Sequence, residues 1–347
     1  MDKRFGFGVC GLGFMGRHYF AHLREHPHAR VVAVCDRDAG RRAGDWANGV
    51  GNLYARDGER VDLADVNVYA GWEELVADDR VDVVAVALPT PAHADATVRA
   101  LEAGKHVLCE KPMALTLADC DRMIAASQQA GKTLMIAQCM RFWPQYELIK
   151  QHVDAGDIGA VRFASLRRLA SWPGHTAGNW MMDGSQSGGA LFDLHVHDID
   201  FVQYLLGWPA SLSAQGCRAS SGGIDHVIAT YAYEDGRYAQ AEGAWIYTPP
   251  WPFEMAITVV GETGTLDWSM LRGPEVLLYA GGKQAEKFVG PDENGWTREL
   301  DYFVSCLRDG RAVDRCLPAS SRANIALALL ERESIEQGGA LLPVPQA

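Results

Sequence analysis

Lys111 stands where a lysine side chain could take part in chemistry. It belongs to the stretch E-A-G-K-H-V-L-C-E-K-P-M-A (102–114), in which the apolar run Val107–Cys109 precedes it and a proline follows it. Because proline interrupts strands and helices, the sequence places this lysine at the carboxyl end of a predicted strand. Its ammonium group could stabilise negative charge on a reacting oxygen, or it could be the charged tip of a turn.

The segment G-G-A-L-F-D-L-H-V-H-D-I-D (188–200) contains a second group of acidic and histidine side chains. On a strand, His195 and His197 would share a face and could bind a metal ion, as in a metallohydrolase. Apolar residues between 191 and 206 repeat at helical spacing, however, and on a helix the two histidines point about 200° apart. Asp193 and His197 would then share one face. The helix therefore predicts an acid–histidine pair without a metal, and a helix-start carboxylate beside a core histidine is the plainer alternative.

A glycine motif near the start of the chain is typical of dinucleotide binding. Gly11, Gly13 and Gly16 form G-x-G-x-x-G between a predicted strand and a predicted helix. The first glycine allows the tight turn, the second lets the backbone approach a pyrophosphate, and the third lets the helix pack closely on the strand. The motif alone is a weak signal. Since Asp36 follows at the end of the second predicted strand, the context predicts a nucleotide-binding loop at a helix N-terminus.

Asp36 bears on the choice between NAD and NADP. Its carboxylate is expected to accept hydrogen bonds from ribose hydroxyls and to repel a 2′-phosphate, which favours NAD. Arg37 could pair with that phosphate, or it could lie in solvent against the edge of the adenine, so NADP stays possible.

The elements around these residues predict two kinds of sheet. Up to about residue 138, short apolar strands alternate with helices, which indicates a parallel sheet covered on both faces, as in a Rossmann fold. Leu88, Thr90 and the E-K-P stretch then lie at carboxyl strand ends, the edge where such sheets bind ligands. Beyond residue 160, longer strands joined by turns indicate a mainly antiparallel sheet. The expected fold class is α/β, with an N-terminal doubly wound parallel sheet and a C-terminal α+β domain that has an open, mainly antiparallel sheet.

The same pattern suggests where the domains and the long loop lie. We expect one domain at 1–142 and a second at 143–347; the family resemblance given below implies that the first binds NAD and that the second binds substrate and forms the oligomer contacts. A C-terminal helix, 320–336, could pack back on the first domain. The segment 171–188 is interpreted as a loop too long to be a mere connection.

The composition is that of a folded protein without a cationic surface. The 347 residues are 48% hydrophobic and 22% charged, and the formal net charge is −12. This charge argues against nucleic acid or an anionic membrane as a partner, and there is no apolar run long enough to span a bilayer. The N-terminus lacks a signal pattern and the eight cysteines contain no C-x-x-C pair, so we expect a cytoplasmic protein with reduced thiols.

The motifs together resemble those of the Gfo/Idh/MocA oxidoreductases, the family of glucose–fructose oxidoreductase and inositol 2-dehydrogenase. The matching stretches are G-L-G-F-M-G (11–16), Asp36, T-P-A-H (90–93), E-A-G-K-H-V-L-C-E-K-P (102–112) and G-G-A-L-F-D-L-H-V-H-D-I-D (188–200). Their order and spacing cover nearly the whole chain, and the E-A-G-K-H-V-x-x-E-K-P string is the most specific of them.

The resemblance implies an NAD(P)-dependent oxidoreductase that transfers a hydride between the nicotinamide and a secondary alcohol of a sugar, sugar acid or inositol. Lys111, Asp193 and His197 would form the catalytic set, and the Lys111–Pro112 peptide bond is expected to be cis. One departure is His195, which stands where the family usually has glycine; it could narrow the pocket, contact substrate or turn away. The residues expected to bind the cofactor are Gly11, Gly13, Phe14, Met15, Gly16, Asp36, Arg37, Leu88, Thr90, His93, Glu110 and Lys111.

Several other side chains are candidates with two interpretations each. Arg141 could contact substrate or form an ion pair at the domain junction. His93 is expected to line the nicotinamide side, with an exposed helix cap as the alternative. Aromatic and amide groups of the long loop would suit a carbohydrate ring, but a packed loop explains them equally; they are Trp172, His175, Asn179 and Trp180.

Two further functions stay open at the level of sequence. One is a glycosidase-type enzyme that retains NAD and oxidises its substrate transiently, and the other is a sensor that binds nucleotide without catalysis. The intact set of Lys111, Asp193 and His197 disfavours the sensor. An uncovered sheet face in the second domain predicts a homodimer or homotetramer, and the expected ligand is a small sugar or polyol.

Overall fold

The apolar strands of the first part of the chain form a six-stranded parallel sheet. The computed structural model describes residues 4–46, 60–173 and 177–346, with the backbone alone at 177–179. The strands are β1 Phe5–Cys10, β2 Ala29–Cys35, β3 Asn67–Tyr69, β4 Val83–Val86, β5 His106–Glu110 and β6 Leu134–Ala137. They lie in the order β3-β2-β1-β4-β5-β6, and each neighbouring pair is parallel. Since the order reverses between β1 and β4, the carboxyl ends of these strands border the crevice where such sheets bind ligands.

Helices connect these strands, and local sequence explains their ends. The helices are α1 Phe14–Glu25, α2 Ala39–Arg42, α3 Trp72–Val76, α4 His93–Glu102 and α5 Leu117–Ala130. At the start of α5, the side chain of Thr116 accepts a hydrogen bond from the backbone N–H of Asp119, and Gly131 ends the helix with a φ of 60°. Threonine is a favoured residue at a helix N-cap, and glycine is favoured at the position that ends a helix.

The second part of the chain forms a nine-stranded sheet. Its strands are β7 Val161–Ser171, β8 Ser211–Arg218, β9 Ile224–Ala232, β10 Tyr238–Tyr247, β11 Glu254–Gly261, β12 Gly264–Ser269, β13 Glu275–Ala280, β14 Glu286–Val289 and β15 Leu342–Pro343. Their order is β14-β13-β12-β11-β7-β10-β9-β8-β15. The β7–β10 pair is parallel and the other neighbouring pairs with a described register are antiparallel. The predicted fold class, a parallel Rossmann sheet followed by a mainly antiparallel open sheet, is confirmed.

Further helices lie in the second part of the chain. They are α6 Pro144–Ala155, α7 Gly184–Ser187, α8 Val196–Leu206, α9 Gly295–Asp309 and α10 Pro318–Glu336. A π-helical turn, Leu191–His195, leads directly into α8. Short 3₁₀ turns lie at Thr90–Ala92, Cys139–Phe142, Ala177–Met182 and Met270–Arg272.

The chain groups into two compact units that are discontinuous in sequence. The first contains 1–137, 174–180 and 299–322, and the second contains 138–173, 181–298 and 323–347. The helix α10 thus contributes its first residues, up to Arg322, to the first unit and the remainder to the second. The functional boundary after residue 142 stays a prediction.

Some elements differ from the sequence prediction. The helix α9 and the strand β14 had no predicted counterpart, although Leu300, Phe303 and Val304 of α9 are fully buried at helical spacing. The segment 171–188 is not a structureless loop, because it contains a 3₁₀ turn and α7. No helix within the described ranges is both long enough and apolar enough to cross a membrane.

Candidate active site

The glycine loop after β1 has the geometry that the motif predicts. Gly11 has a φ of +91°, which favours glycine, and a side chain there would meet the carbonyl oxygen of Ala87. A Cβ on Gly16 would lie 1.7 Å from the carbonyl oxygen of Gly11, so the helix packs against the loop without room for any side chain. A Cβ on Gly13 would meet no atom within 4 Å. The space over Gly13 is therefore open to a ligand that approaches the backbone.

The N-terminus of α1 is suited to bind phosphate. The helix begins at Phe14 with Gly13 as its N-cap, and its first turn contains no acidic residue. The first N–H groups of a helix have no partner within the helix and carry the positive end of its dipole. Phe14 and Met15, both half-buried, flank this end. A pyrophosphate would find backbone donors here without a competing carboxylate.

Asp36 is fixed at the carboxyl end of β2 by the backbone around it. One carboxylate oxygen accepts the N–H of Leu12 at 2.7 Å, and the other accepts the N–H of Asp38 at 2.8 Å. The arginine beside it is Arg41, whose Nη1 lies 3.4 Å from Oδ2, whereas Arg37 is exposed. Sequence reasoning missed Arg41. The signal that could have indicated this contact is Asp38. It is a favoured N-cap residue, and the short helix α2 that it starts carries Arg41.

Replacing Asp36 by serine is expected to weaken NAD binding and relax discrimination against NADP. Loss of charge-assisted hydrogen bonds to the ribose should raise the Kd for NAD by about 10- to 100-fold. Removal of the carboxylate also leaves Arg41 free to pair with a 2′-phosphate. Fluorescence titration of wild type and variant with both reduced cofactors measures the effect, with the exposed Asp79→Asn as control. Tighter binding of NADPH than NADH by the wild type would overturn the assignment of Asp36.

The turns that follow β4 and β5 are joined by His93. Its Nδ1 lies 2.9 Å from the carbonyl oxygen of Pro112, and its Nε2 lies 2.8 Å from that of Leu88. Burial lowers the pKa of His93, and this outweighs the opposing effect of the two carbonyls. The residue is 1% exposed. The exposed-cap alternative is therefore wrong, and His93 links the backbone of the turns that follow β4 and β5.

Lys111 follows β5 in a tightly held turn. The Lys111–Pro112 peptide bond is cis, as predicted. The backbone N–H of Lys111 donates to the carboxylate of Glu110 at 3.2 Å, and the same carboxylate accepts the hydroxyl of Tyr19 on α1 at 2.5 Å. Thr90 and Glu110 are buried, and Lys111 is half-buried. Glu110 therefore anchors the turn to the first helix, a contact that the sequence did not reveal.

In the second unit, Asp193 and His197 lie on successive turns of one helical segment. Asp193 belongs to the π-helical turn and His197 to the start of α8. Their exposed fractions are 9% and 8%, so each is nearly buried. The helical interpretation of this segment is confirmed. A π-helical turn was not predicted, and such turns recur at functional sites.

Arg141 makes an ion pair rather than standing free for a ligand. Its Nε and Nη2 donate to the two carboxylate oxygens of Asp200 at 2.8 and 2.6 Å, and both side chains are buried. Its guanidinium also lies 4.7 Å from the centre of the Tyr204 ring. An ion pair was the alternative in the sequence analysis, although this pair lies within the second unit rather than at a domain junction. A substrate contact of Arg141 stays a prediction.

His195 turns into the core of the second unit. It is fully buried, and its Nε2 lies 3.0 Å from a carboxylate oxygen of Glu331, although not with hydrogen-bond geometry. Glu331 also accepts the hydroxyl of Tyr231 at 2.5 Å. A Cβ on Gly243 would lie 2.5 Å from the Cβ of His195, so the ring occupies space left by that glycine. The proposed substrate contact through His195 is therefore corrected in favour of the turned-away alternative.

The roles of the aromatic and amide candidates in the segment 171–188 as substrate contacts stay predictions. Trp172 is exposed and Trp180 is half-buried. Asn179 lies in the 3₁₀ turn Ala177–Met182, where only its backbone is described, and His175 lies outside the described residues. Among the side chains that the structure describes, no three histidine, cysteine or acidic groups are arranged to hold a metal ion.

Comparison with known proteins identifies the class and then the family. A model described as an oxidoreductase family with an NAD-binding Rossmann fold matches residues 5–138, so the chain is an NAD-binding oxidoreductase. The model of the GFO/IDH/MocA C-terminal domain matches residues 146–267. The chain belongs to the GFO/IDH/MocA family, as the sequence motifs indicated.

Individual relatives are distant but extend over much of the chain. The scyllo-inositol 2-dehydrogenase (NAD(+)) of Bacillus subtilis is 27% identical over 328 residues, which cover 90% of this chain and 88% of the relative. The 2,7-anhydro-N-acetylneuraminate hydratase of Escherichia coli is 27% identical over 76% of this chain and 67% of its own length. The structure of levoglucosan dehydrogenase with NADH and levoglucosan has a TM-score of 0.84 at 20% identity, covering 99% of this chain and all of that one, a likeness of fold. These relatives favour neither the glycosidase nor the sensor interpretation.

Proposed function

We propose that this enzyme oxidises a secondary alcohol of an inositol, sugar or sugar acid with NAD, reversibly. The observation that carries the proposal is the alignment over 90% of the chain with an inositol 2-dehydrogenase. The arrangement of the first unit supports it, because an open glycine loop, a fixed Asp36 and a held Lys111 turn lie at carboxyl strand ends of one parallel sheet.

The proposed chemistry assigns a role to each of three side chains. Bound NAD supplies the acceptor for the hydride. Lys111 donates a hydrogen bond to the substrate oxygen and stabilises negative charge as it develops there. His197 takes the proton of the substrate hydroxyl, and Asp193 stabilises the imidazolium that forms. In the reverse direction, Lys111 polarises the carbonyl and His197 returns the proton.

The side chains near the glycine loop are proposed to bind the cofactor. The N–H groups at the start of α1 would hold the pyrophosphate, and Asp36 would accept the ribose hydroxyls. Leu88 and Thr90 would border the nicotinamide side. His93 would act indirectly, since its ring nitrogens already face two backbone carbonyls.

A substrate screen tests the proposal. The purified protein is incubated with NAD and a panel of inositols, aldoses and sugar acids, and the absorbance of the reduced nicotinamide is followed. We expect turnover with at least one polyol and none without NAD. Product analysis runs in parallel, because a hydratase or a glycosidase would convert substrate without net reduction of the cofactor. Conversion without accumulation of NADH would contradict the dehydrogenase assignment.

We propose that the open face of the nine-stranded sheet joins subunits into a dimer or tetramer. Residues in register across the strands form one row on this face. They are Tyr238 on β10, Phe163 on β7, Val260 on β11 and Tyr279 on β13. None of these four side chains is buried within the chain, and the rings of Phe163 and Tyr238 lie 4.7 Å apart in a tilted arrangement. Light scattering at micromolar concentration should report a dimer or tetramer. A monomer would remove the proposal.

We also propose a cytoplasmic location. None of the eight cysteines forms a disulfide bond and seven of them are buried, which suits a reducing compartment. Fractionation of the source cells, with the protein detected by antibody, tests this. Recovery outside the cytoplasm would contradict it.

A further inference from the structure

Two buried acidic residues follow His197 on α8, and each is held by an arginine from another element. Asp198 accepts two hydrogen bonds from Arg168 of β7, both at 3.0 Å. Asp200 accepts two from Arg141, at 2.8 and 2.6 Å. Both carboxylates are 0% exposed, and the arginine side chains are 2% and 7% exposed. The helix is thus attached at two points by forked ion pairs that exclude water.

Each ion pair has further partners that fix its geometry. Arg168 also contacts the sulfur of Met140 at 3.0 Å and the hydroxyl of Tyr146 at 3.5 Å. Asn324 of α10 donates to Asp200 at 2.6 Å. Burial acts to lower the pKa of Arg168, but the attraction of Asp198 and Tyr146 raises it overall.

The two pairs lie on either side of His197 around the helix axis. Successive residues of an α-helix are rotated by about 100°, so Asp198 lies about 100° to one side of His197 and Asp200 about 60° to the other. A rotation of α8 in either sense would move both carboxylates relative to their arginine forks. The pairs therefore oppose rotation in the part of the helix that carries the imidazole. Asp193 is attached differently, since it lies in the preceding π-helical turn.

Stability alone gives little reason for such pairs. Removing two charges from water costs free energy that their attraction offsets only in part, and apolar residues of similar volume are often as stabilising. We propose that Arg168–Asp198 and Arg141–Asp200 are positioning residues that set the rotation of α8 and thereby the place of the His197 imidazole. This inference rests on the proposed role of His197 and adds four residues to it.

The expected effect follows from the size of the displacement. A side-chain atom about 6 Å from a helix axis moves by about 1 Å when the helix rotates by about 10°. A misplacement of about 1 Å at a reacting group can reduce the rate by about 100-fold. Loss of an ion pair that holds α8 should therefore lower kcat strongly, while substrate binding changes little.

The test replaces one ion pair by apolar residues of similar size. The variant Arg168→Met with Asp198→Leu removes both charges together, so neither partner is left buried and unpaired. We expect a melting temperature close to that of the wild type and a kcat reduced by about 10- to 100-fold. The Kd for NAD should change by less than about threefold, because no residue of the glycine loop is altered. The single variant Arg168→Lys keeps the charge without the forked guanidinium. Its kcat should lie between those of the wild type and the double variant.

A matched control uses an exposed forked pair. Arg322 donates to both carboxylate oxygens of Asp121 on the protein surface. Arg322→Met with Asp121→Leu makes the same chemical change, and it should leave kcat within about twofold of wild type. An unchanged kcat in the Arg168→Met, Asp198→Leu variant, or an equal loss in the control, would overturn the positioning role.

A crystal structure of the apolar variant separates this inference from the proposed function. We expect the His197 imidazole to be displaced by about 1 Å relative to the wild type, or to occupy more than one position. An imidazole at the wild-type position contradicts the inference whatever the activity. If instead the wild type oxidises no polyol, the proposed function fails while the structural comparison still decides whether the pairs position His197.

Discussion

Replacing Lys111 by methionine is expected to lower kcat by about 1,000-fold or more while the protein still binds NAD. Methionine has a similar length and keeps the apolar stem, but it offers neither a positive charge nor a hydrogen-bond donor. Loss of one donor to a developing oxyanion typically costs about 10²- to 10³-fold, and loss of the positive charge that stabilises the same oxygen adds to this. Measurements of kcat, KM and the Kd for NAD on the purified variant distinguish chemistry from binding.

Lys105→Met is the matched control for this variant. Lys105 lies in the same stretch of sequence, immediately before β5, and its Nζ donates to the backbone carbonyl of Asp78 at 3.2 Å. The same change of side chain there should leave kcat within about twofold of wild type, because only a part-buried hydrogen bond is lost. A Lys111→Met variant that turns over at a near-normal rate would remove Lys111 from the catalytic set.

The parts of this fold that were predictable depend on short-range signals. The ends of the helix α5 are predictable from local sequence, because Thr116 and Gly131 are favoured cap residues at the right spacing. The glycine loop was predictable because its turn, its open side and its close packing each require glycine at one position. Such signals lie within a few residues of one another, so a single sequence displays them.

The orientation of site side chains depends on partners that are distant in the sequence. Arg141 and Asp200 are 59 residues apart, and nothing near either residue shows that they pair. His195 turns into the core because Gly243 leaves space for its ring and Glu331 faces it. Periodicity located the helix that carries His195 and His197 correctly. It could not decide which side chains of that helix face a ligand and which are structural.

The helix α9 was also absent from the sequence prediction, but for a different reason. Its buried residues Leu300, Phe303 and Val304 follow helical spacing, and Asn294 caps its start by accepting the N–H of Thr297. Both signals are local and were present in the sequence. The helix could therefore have been predicted, unlike the ion pairs on α8.

Replacing Gly13 by valine is expected to abolish NAD binding without unfolding the protein. Gly13 has φ −72° and ψ −162°, an extended conformation that valine adopts readily, and no atom lies within 4 Å of the added Cβ. The new side chain would instead fill the space through which a pyrophosphate must approach the backbone. We expect the Kd for NAD to rise by at least about 100-fold, and the melting temperature to fall by no more than about 4 °C from a weaker N-cap.

Gly16→Ala is the comparison variant for Gly13→Val. Its added Cβ would lie 1.7 Å from the carbonyl oxygen of Gly11, so the loop and α1 must separate even when no ligand is present. That variant should therefore lose stability in the absence of NAD. Thermal melts with and without NAD distinguish the two cases, because a ligand raises the melting temperature only of a protein that binds it. A Gly13→Val protein that NAD stabilises as strongly as it does the wild type would show that the dinucleotide does not cross this loop, and the roles assigned to Asp36 and Lys111 would lose their foundation.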